Sequence, residues 1–345
     1  MEGNIKKKNP KVSIIIPVYN GSNYLHDALE SALAQTYKNI EVIVINDGST
    51  DNGKAEEIAR SYGDKIHYFY KENGGVASAL NLGIRKMTGE YFSWLSHDDL
   101  YYPTKVWTQI EYLKSCERKD IILCSNWEII DHKSARIGMR RIIHSKERKG
   151  IYLVMNGYTY GCTLLVPKMC FDDVGLFNEE YATTQDYDLW FKMARRYEFV
   201  HIPEVLVKYR VHSEQDTIKH PDHLKEEDRL HTNFNRELTK EEILELEESL
   251  SVFYIKRAIF YKKRFPEAEE YTYNLFRRNL FKERALHIPL CILLLLRYKL
   301  LPNPRYFKYM QDMLILLASP LRWREFISII HNRRIIRQKE YGEKR

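Results

Sequence analysis

An apolar run, Tyr91-Phe92-Ser93-Trp94-Leu95, stops at Ser96-His97-Asp98-Asp99. Two adjacent carboxylates at the end of a buried strand repel each other and call for a positive partner. Hard oxygen ligands of this kind suit Mg2+ or Mn2+, and those cations in turn suit phosphates. The same residues admit a second reading, in which Asp98 or Asp99 caps a helix that starts near Pro103. Two more apolar runs upstream end in polar turns. Val12-Ser13-Ile14-Ile15-Ile16 leads into Pro17-Val18-Tyr19-Asn20-Gly21, and Glu41-Val42-Ile43-Val44-Ile45 leads into Asn46-Asp47-Gly48-Ser49-Thr50-Asp51. Three such turns at one edge of a sheet would make one ligand site.

Elements must bring them there. The runs are nearly all apolar, as expected of strands buried on both faces of a parallel sheet. Leu25, Ala28, Leu29, Ala32 and Leu33 have helical spacing, which predicts a helix over 22–35 with Ser22 as its cap. Another helix is predicted over 51–61, a strand over 66–70, and a helix over 76–86 after the pair Gly74-Gly75. This alternation argues for an open α/β sheet. No G-x-G-x-x-G follows the first strand, which argues against a Rossmann dehydrogenase. No glycine-rich, lysine-bearing phosphate loop follows it either, which argues against a Walker-type or nucleotidyltransferase site.

Together, Ile16-Pro17-Val18-Tyr19-Asn20, Asn46-Asp47-Gly48-Ser49-Thr50-Asp51 and Ser96-His97-Asp98-Asp99 resemble the nucleotide-sugar site of a family 2 glycosyltransferase. The resemblance covers about residues 11–215. It implies an inverting enzyme of GT-A fold, with a Rossmann-like, mixed, mostly parallel sheet flanked by helices. By that resemblance Pro17, Tyr19 and Asn20 line the base and ribose pocket, and Asp47 hydrogen-bonds a uracil-type base. Asp47 also fits a plain turn before Gly48, and Asp51 a helix cap. Asn73 and Gly74-Gly75 would pass near the nucleotide.

The family's metal motif is Asp-x-Asp. Here Ser96 replaces the first aspartate, Asp98 matches the second, and Asp99 follows. The implied metal ligands are Asp98, Asp99 and His212, with Ser96 left to bond a ribose hydroxyl. His97 is either a ligand, since imidazole suits Mn2+ better than Mg2+, or a polar neighbour. Thr183-Thr184-Gln185-Asp186-Tyr187-Asp188-Leu189-Trp190 resembles the family's Glu-Asp-x-x-Leu-Trp stretch. That makes Asp186 the base, Asp188 the runner-up, and Gln185 a departure from the usual Glu. Asp188 also reads as a first-turn carboxylate, and Trp190 as core. A strand over 205–209 runs into Arg210-Val211-His212-Ser213, similar to the family's Tyr-Arg-x-His. Arg210 would meet the diphosphate, because guanidinium is always charged and donates in pairs; a surface pair is the alternative. Residues 157–177 would flank the acceptor. The Gln-x-x-Arg-Trp signature of processive members is missing. The basic stretch 136–148 reads as a solvated region or a loop over the site.

The implied function is metal-dependent, non-processive sugar transfer from a nucleoside diphosphate donor, with UDP the preferred carrier. The implied acceptor is a hydroxyl of a lipid-linked or surface saccharide. A protein side chain as acceptor, and a catalytically silent nucleotide-sugar binding module, are the alternatives. Ser96 and Gln185 leave room for the latter.

Length allows two domains, 1–215 and 216–345. The five cysteines are odd in number and lack C-x-x-C spacing, so they suit a reducing cytoplasm rather than a disulfide frame or zinc site. Residues 1–11 are polar, without the apolar core of a signal peptide. Past residue 216 glycine almost vanishes and helical spacing takes over. Thr239-Lys240-Glu241-Glu242 predicts a capping box opening a helix through Leu244, Leu246 and Leu250. Residues 251–345 carry 21 Lys+Arg against 8 Asp+Glu, whereas residues 1–250 carry 33 against 39. The runs 288–296 and 313–317 are too short to span a bilayer. Basic residues beside them suit either an anionic membrane surface or a packed helical bundle. No nucleic-acid motif accompanies the charge.

Overall fold

The computed structural model describes residues 9–142, 149–280, 282 and 287–300. In chain order these form β1 (Val12–Val18), α1 (Leu25–Leu33), β2 (Ile40–Asp47), α2 (Lys54–Ser61), β3 (His67–Lys71) and α3 (Gly75–Lys86). Next come β4 (Tyr91–Trp94), β5 (Leu100–Tyr101), α4 (Lys105–Cys116), β6 (Ile122–Ile130), β7 (Arg136–Arg140) and α5 (Gly150–Met155). Then follow β8 (Val166–Pro167), α6 (Lys168–Val174), α7 (Gln185–Ala194), β9 (Phe199–Arg210), α8 (Asp216–Lys219) and α9 (His223–Glu237). The last helices are α10 (Lys240–Leu246), α11 (Leu250–Tyr261), α12 (Pro266–Leu280) and α13 (Ile288–Leu300). Two compact units meet in sequence between Leu230 and His231.

The first unit is α/β, as expected. One sheet has the order β3-β2-β1-β4-β8, in which β8 alone is antiparallel to its neighbour. A second sheet, β5-β9-β6-β7, holds the parallel pair β6 and β9 between antiparallel edges. All seven residues of β1 are buried, which explains its unbroken apolar run. Pro17 sits within this central strand. Ile15 O accepts from Leu95 N–H, so Ile15 and, two residues on, Pro17 turn their backbone toward β4. The β4 ladder ends at Ile15↔Trp94, and the missing N–H of Pro17 falls just beyond it. α3 lies close on β1, where Gly83 leaves room for Ile15.

Several element expectations change. Ser22 does not cap α1; Tyr24 holds that position without a side-chain bond, and Gly21 O accepts the Tyr24 and Leu25 N–H groups. α4 begins only at Lys105, after Thr104, so neither Asp98 nor Asp99 is its cap. β9 starts six residues before the predicted strand, because its first half pairs with β6. Arg136–Arg140 is an edge strand on β6 rather than a loop; residues 143–148 of that stretch lie outside the described residues. Thr239 and Glu242 do form the capping box, but α10 stops at Leu246 and α11 restarts behind Ser249, whose hydroxyl accepts from Val252 N–H.

In the second unit, the buried His231 ring packs among Phe234, Phe260, Tyr261 and Phe265. Arg257 lies over the Phe260 and Tyr261 rings and donates to the Tyr261 hydroxyl. The 13 residues of α13 rise about 20 Å, short of a hydrocarbon core of about 30 Å. Among the described residues no helix is long and apolar enough to cross a membrane. The run 313–317 lies outside them.

Candidate functional site

The polar ends of β1, β2 and β4 are knitted into loops by side chains. Asn20, in the left-handed region at φ 52°, accepts Thr50 N–H at 2.7 Å, and its own N–H donates to Ser49 Oγ at 3.0 Å. This joins the ends of β1 and β2 and leaves Tyr19 half exposed. Asp51 Oδ2 accepts Ala55 N–H at 2.9 Å and so supports the start of α2.

Asp47 is buried and its carboxylate is heavily used. It accepts from Lys71 at 2.5 Å, from Gly74 N–H at 3.1 Å and from Gly75 N–H at 2.8 Å. It thus anchors the start of α3, where a carboxylate is favoured by the unsatisfied N–H groups. Asn73 donates to Asp47 O at 3.0 Å. Gly48, at φ +71°, is required here, because a Cβ would stand 2.6 Å from Asn73 N.

The turn after β4 splits its two carboxylates. Asp98 Oδ2 lies 2.9 Å from His212 Nε2. Glu214 N–H donates to His212 Nδ1 at 3.3 Å, so Nε2 of the neutral ring carries the proton given to Asp98. Burial opposes ionisation of Asp98, but His212, the nearby His97 and the Ser96 hydroxyl hold it down at about 2. Asp99 is 0% exposed and takes hydrogen bonds from the Tyr160 hydroxyl and from Arg210 N–H. Burial, then the Asp98 charge, pushes its carboxyl well above the usual range. The two neighbours are driven apart, Asp98 toward its charged form and Asp99 away from it, which eases the repulsion that the sequence posed.

Two expected roles change with this geometry. Asp99 is turned inward, its Oδ2 accepting from the Tyr160 hydroxyl and its Oδ1 from Arg210 N–H, so it is not presented to a cation in this arrangement. Arg210 is 1% exposed. Its Nε donates to Asp98 O at 2.7 Å, Nη1 to Ser134 Oγ at 2.9 Å, and its guanidinium lies 4.4 Å from the Tyr24 ring centroid. It braces the Asp98 turn rather than standing open for a diphosphate. His97 rests on Gly21, where a Cβ would fall within its ring.

Asp186 lies in the first turn of α7. Burial first, and then the charge of Glu226, raise its carboxyl to about 7, against hydrogen bonds from N–H groups that include Tyr187. A carboxylate tuned to that range is suited to removing a hydroxyl proton. Asp188 is instead paired with Lys192 at 2.7 Å along the helix. Gln185 Oε1 is buried with no hydrogen-bond donor among the described residues. Tyr209 packs edge-on against Tyr160, the Asp99 donor, at 4.8 Å. Asn81 of α3 fixes the 174–177 turn through Phe177, accepting its N–H at 3.0 Å and donating to its O at 2.9 Å.

The family 2 glycosyl transferase model matches residues 13–171, which carry β1 through the Asp98 turn. An uncharacterised glycosyltransferase of Rickettsia typhi is 51% identical over 259 residues, 74% of this chain and 81% of that protein. The chain belongs to glycosyltransferase family 2. A Rickettsia felis relative, also an uncharacterised glycosyltransferase, is 48% identical over 74% of this chain. The chain spans 43% of the length of that relative. S. aureus TarS 1–349, solved in complex with UDP-GlcNAc, superposes with a TM-score of 0.57 at 16% identity. The overlap covers 86% of this chain and 82% of that one, and establishes the GT-A fold.

Among the described residues no group of three or more His, Cys, Asp or Glu side chains is arranged to hold a metal by itself. The Asp98 carboxylate fits the smaller contribution that a Mg2+ or Mn2+ site needs when substrate phosphates supply the other ligands, and His212 joins it only by giving up the Nε2–H bond to Asp98. Sequence reasoning missed one residue of the base region. Glu226 of α9 reaches back to residues 182–184, and nothing in its polar helix distinguishes it from its acidic neighbours.

Proposed function

We propose that this family 2 glycosyltransferase moves one sugar at a time from a UDP-sugar to an acceptor hydroxyl, with inversion. The observation that carries the reading is Asp186, a buried carboxylate raised to about 7 in the first turn of α7. As the acceptor oxygen bonds to the anomeric carbon, its proton passes to Asp186. The bond from that carbon to the UDP oxygen breaks, and its electron pair leaves with the diphosphate. Asp98 would hold a divalent cation, joined by His212 once its Nε2 proton is given up, and the cation when bound would offset the charge of that leaving group. Tyr19 and Asn20, with Asp47, Asn73 and Ser96, frame the nucleotide side. The UDP-GlcNAc complex of TarS supports a UDP carrier.

The acceptor is a lipid-linked or surface saccharide, and the basic C-terminal region rests on the inner face of the membrane. The charge of residues 251–345 and the apolar α13, with Leu290 exposed, support that placement. A silent nucleotide-sugar binder is the second reading, favoured by Ser96 and by the unpartnered Gln185 oxygen.

Calorimetry of UDP and dTDP with Mn2+, Mg2+ or chelator tests the donor site on wild type and Asp98→Ala. Metal-dependent UDP binding that the variant loses is expected, followed by UDP release from a UDP-sugar. Binding without release from any donor would leave the silent module; no binding at all would sink both readings.

A further inference from the structure

The loop that leads into α7 is tied down from outside its own sequence. Thr184 occupies the N-cap position, yet its side chain makes no cap bond. Its hydroxyl donates instead to Glu226 Oε1 at 2.9 Å, as does its N–H at 2.8 Å. Thr183 gives the same oxygen its N–H at 2.8 Å and its hydroxyl at 2.9 Å, and Ala182 N–H donates to Oε2 at 2.9 Å. Five donors from three consecutive residues thus converge on one carboxylate, two residues before Asp186. Because the Thr183 hydroxyl proton goes to Glu226, its oxygen accepts from His223 Nδ1 at 2.8 Å.

We propose that Glu226 is a positioning residue for Asp186: its carboxylate ties down the 182–184 loop and sets a fixed negative charge beside the base. This rests on Asp186 being the base. Burial disfavours ionisation of Glu226, but the N–H donors of Ala182 and Thr183 and the two hydroxyls outweigh it and hold the group below its usual range. The charge is therefore present throughout the working pH range. Glu226 is the neighbouring carboxylate whose charge raises Asp186. Other charged or titratable groups lie nearby. Arg140 of β7, Tyr209 of β9 and Glu227 of α9 act on Tyr187, and His223 faces Thr183 and Glu227. The position just before the base, where the family carries Glu, is neutral Gln185 here. The negative charge that would have stood in sequence beside the base stands in space instead, on α9.

Loop anchoring and charge separate experimentally. Glu226→Gln keeps an acceptor oxygen for the threonines but removes the charge. Glu226→Asp keeps the charge on a shorter arm. The Asp186 carboxyl is followed by carbon-13 NMR against pH, with Asp186→Asn assigning the signal. Removing a negative neighbour stabilises the ionised base, so Glu226→Gln is expected to move the Asp186 midpoint down by about one pH unit. Glu226→Asp leaves it in place and lowers kcat on the order of tenfold through misplacement. In turnover assays the acid limb of kcat/KM follows the NMR midpoint, while the Kd of UDP with Mn2+ stays as in wild type. An unmoved midpoint in Glu226→Gln, or one that moves equally in Glu226→Asp, overturns the proposal. Wild-type turnover by Asp186→Asn would instead remove the base assignment, and the NMR titration would still decide whether Glu226 governs Asp186.

Discussion

Glu41 and Asp98 are both carboxylates held at about 2 by their surroundings, at opposite ends of one sheet. At the amino end, burial of Glu41 is outweighed by its hydrogen-bond donors. Ser13 Oγ approaches to 2.5 Å, Lys11 to 2.9 Å, Thr88 N–H and hydroxyl to 2.7 and 2.8 Å, and Gly89 N–H to 3.1 Å. At the carboxyl end, Asp98 is held by a hydroxyl and two imidazoles. Imidazoles can rotate or change protonation, and Asp98 has two of them, whereas Glu41 takes two backbone N–H groups, which can do neither. The first carboxylate staples strands together; the second keeps a charge ready for something that comes and goes. The parallel sheet itself assigns these roles, since its loops at the carboxyl edge are the ones free to bind ligands.

The largest effect is expected at the base. Asp186→Asn should lower kcat by about 10^3-fold and leave the UDP Kd within about twofold, as for loss of a general base. Equal loss of UDP affinity would make Asp186 a structural residue and place chemistry elsewhere. In wild type the carboxylate form is the active one, so kcat/KM should climb as pH rises through about 7 and then level off. A profile flat from pH 5 to 9 would break the assignment.

The two ends of the sheet come next. Asp98→Ala should weaken Mn2+-dependent UDP binding by about 10- to 100-fold, with little change in thermal midpoint. Glu41→Gln should do the reverse, costing about 1–3 kcal/mol of stability while the UDP Kd of the folded protein is kept. Glu41 is lowered from its ordinary value of 4.5 to about 2 in the fold. Its contribution is therefore complete above pH 4.5 and fades as pH falls toward 2. Melting curves of Glu41→Gln should lack that part of the acid sensitivity. If Glu41→Gln weakened UDP and Asp98→Ala only destabilised, the comparison would be inverted.

The sequence made one half of this contrast easy to see. Apolar runs such as 12–16 and 41–45 dictate buried parallel strands, and their polar ends mark the site before any coordinates. It was silent on which of two adjacent carboxylates turns inward. Asp98 and Asp99 differ through Tyr160 and Arg210, 61 and 111 residues away from Asp99 in the chain. Arg210 misled for the same reason: a guanidinium reads as an open phosphate ligand until Tyr24 and Ser134 are seen to enclose it. Glu226 carried no local signal, because its partners lie more than forty residues upstream. Contacts set by the second sheet and by α9 are tertiary, and residue spacing does not encode them.

The smallest and sharpest test uses two glycines. At the carboxyl end, a Cβ on Gly21 meets the His97 ring, a movable side chain that helps keep Asp98 ionised. At the amino end, a Cβ on Gly89 meets Lys11 O at 2.8 Å and Ser13 N at 2.8 Å, which are backbone. Gly21→Ala should therefore displace His97 at little cost in stability and weaken Mn2+-dependent UDP binding by about fivefold, or about 1 kcal/mol. Gly89→Ala meets that backbone as well as Ser13 Oγ at 2.5 Å and should lose about 1–3 kcal/mol by overpacking, with the UDP Kd intact. Calorimetry and thermal melting on the same two variants decide the matter. Equal loss of stability in both would mean that the carboxyl edge is as rigid as the amino edge, and that His97 is a packed residue rather than a movable partner of Asp98.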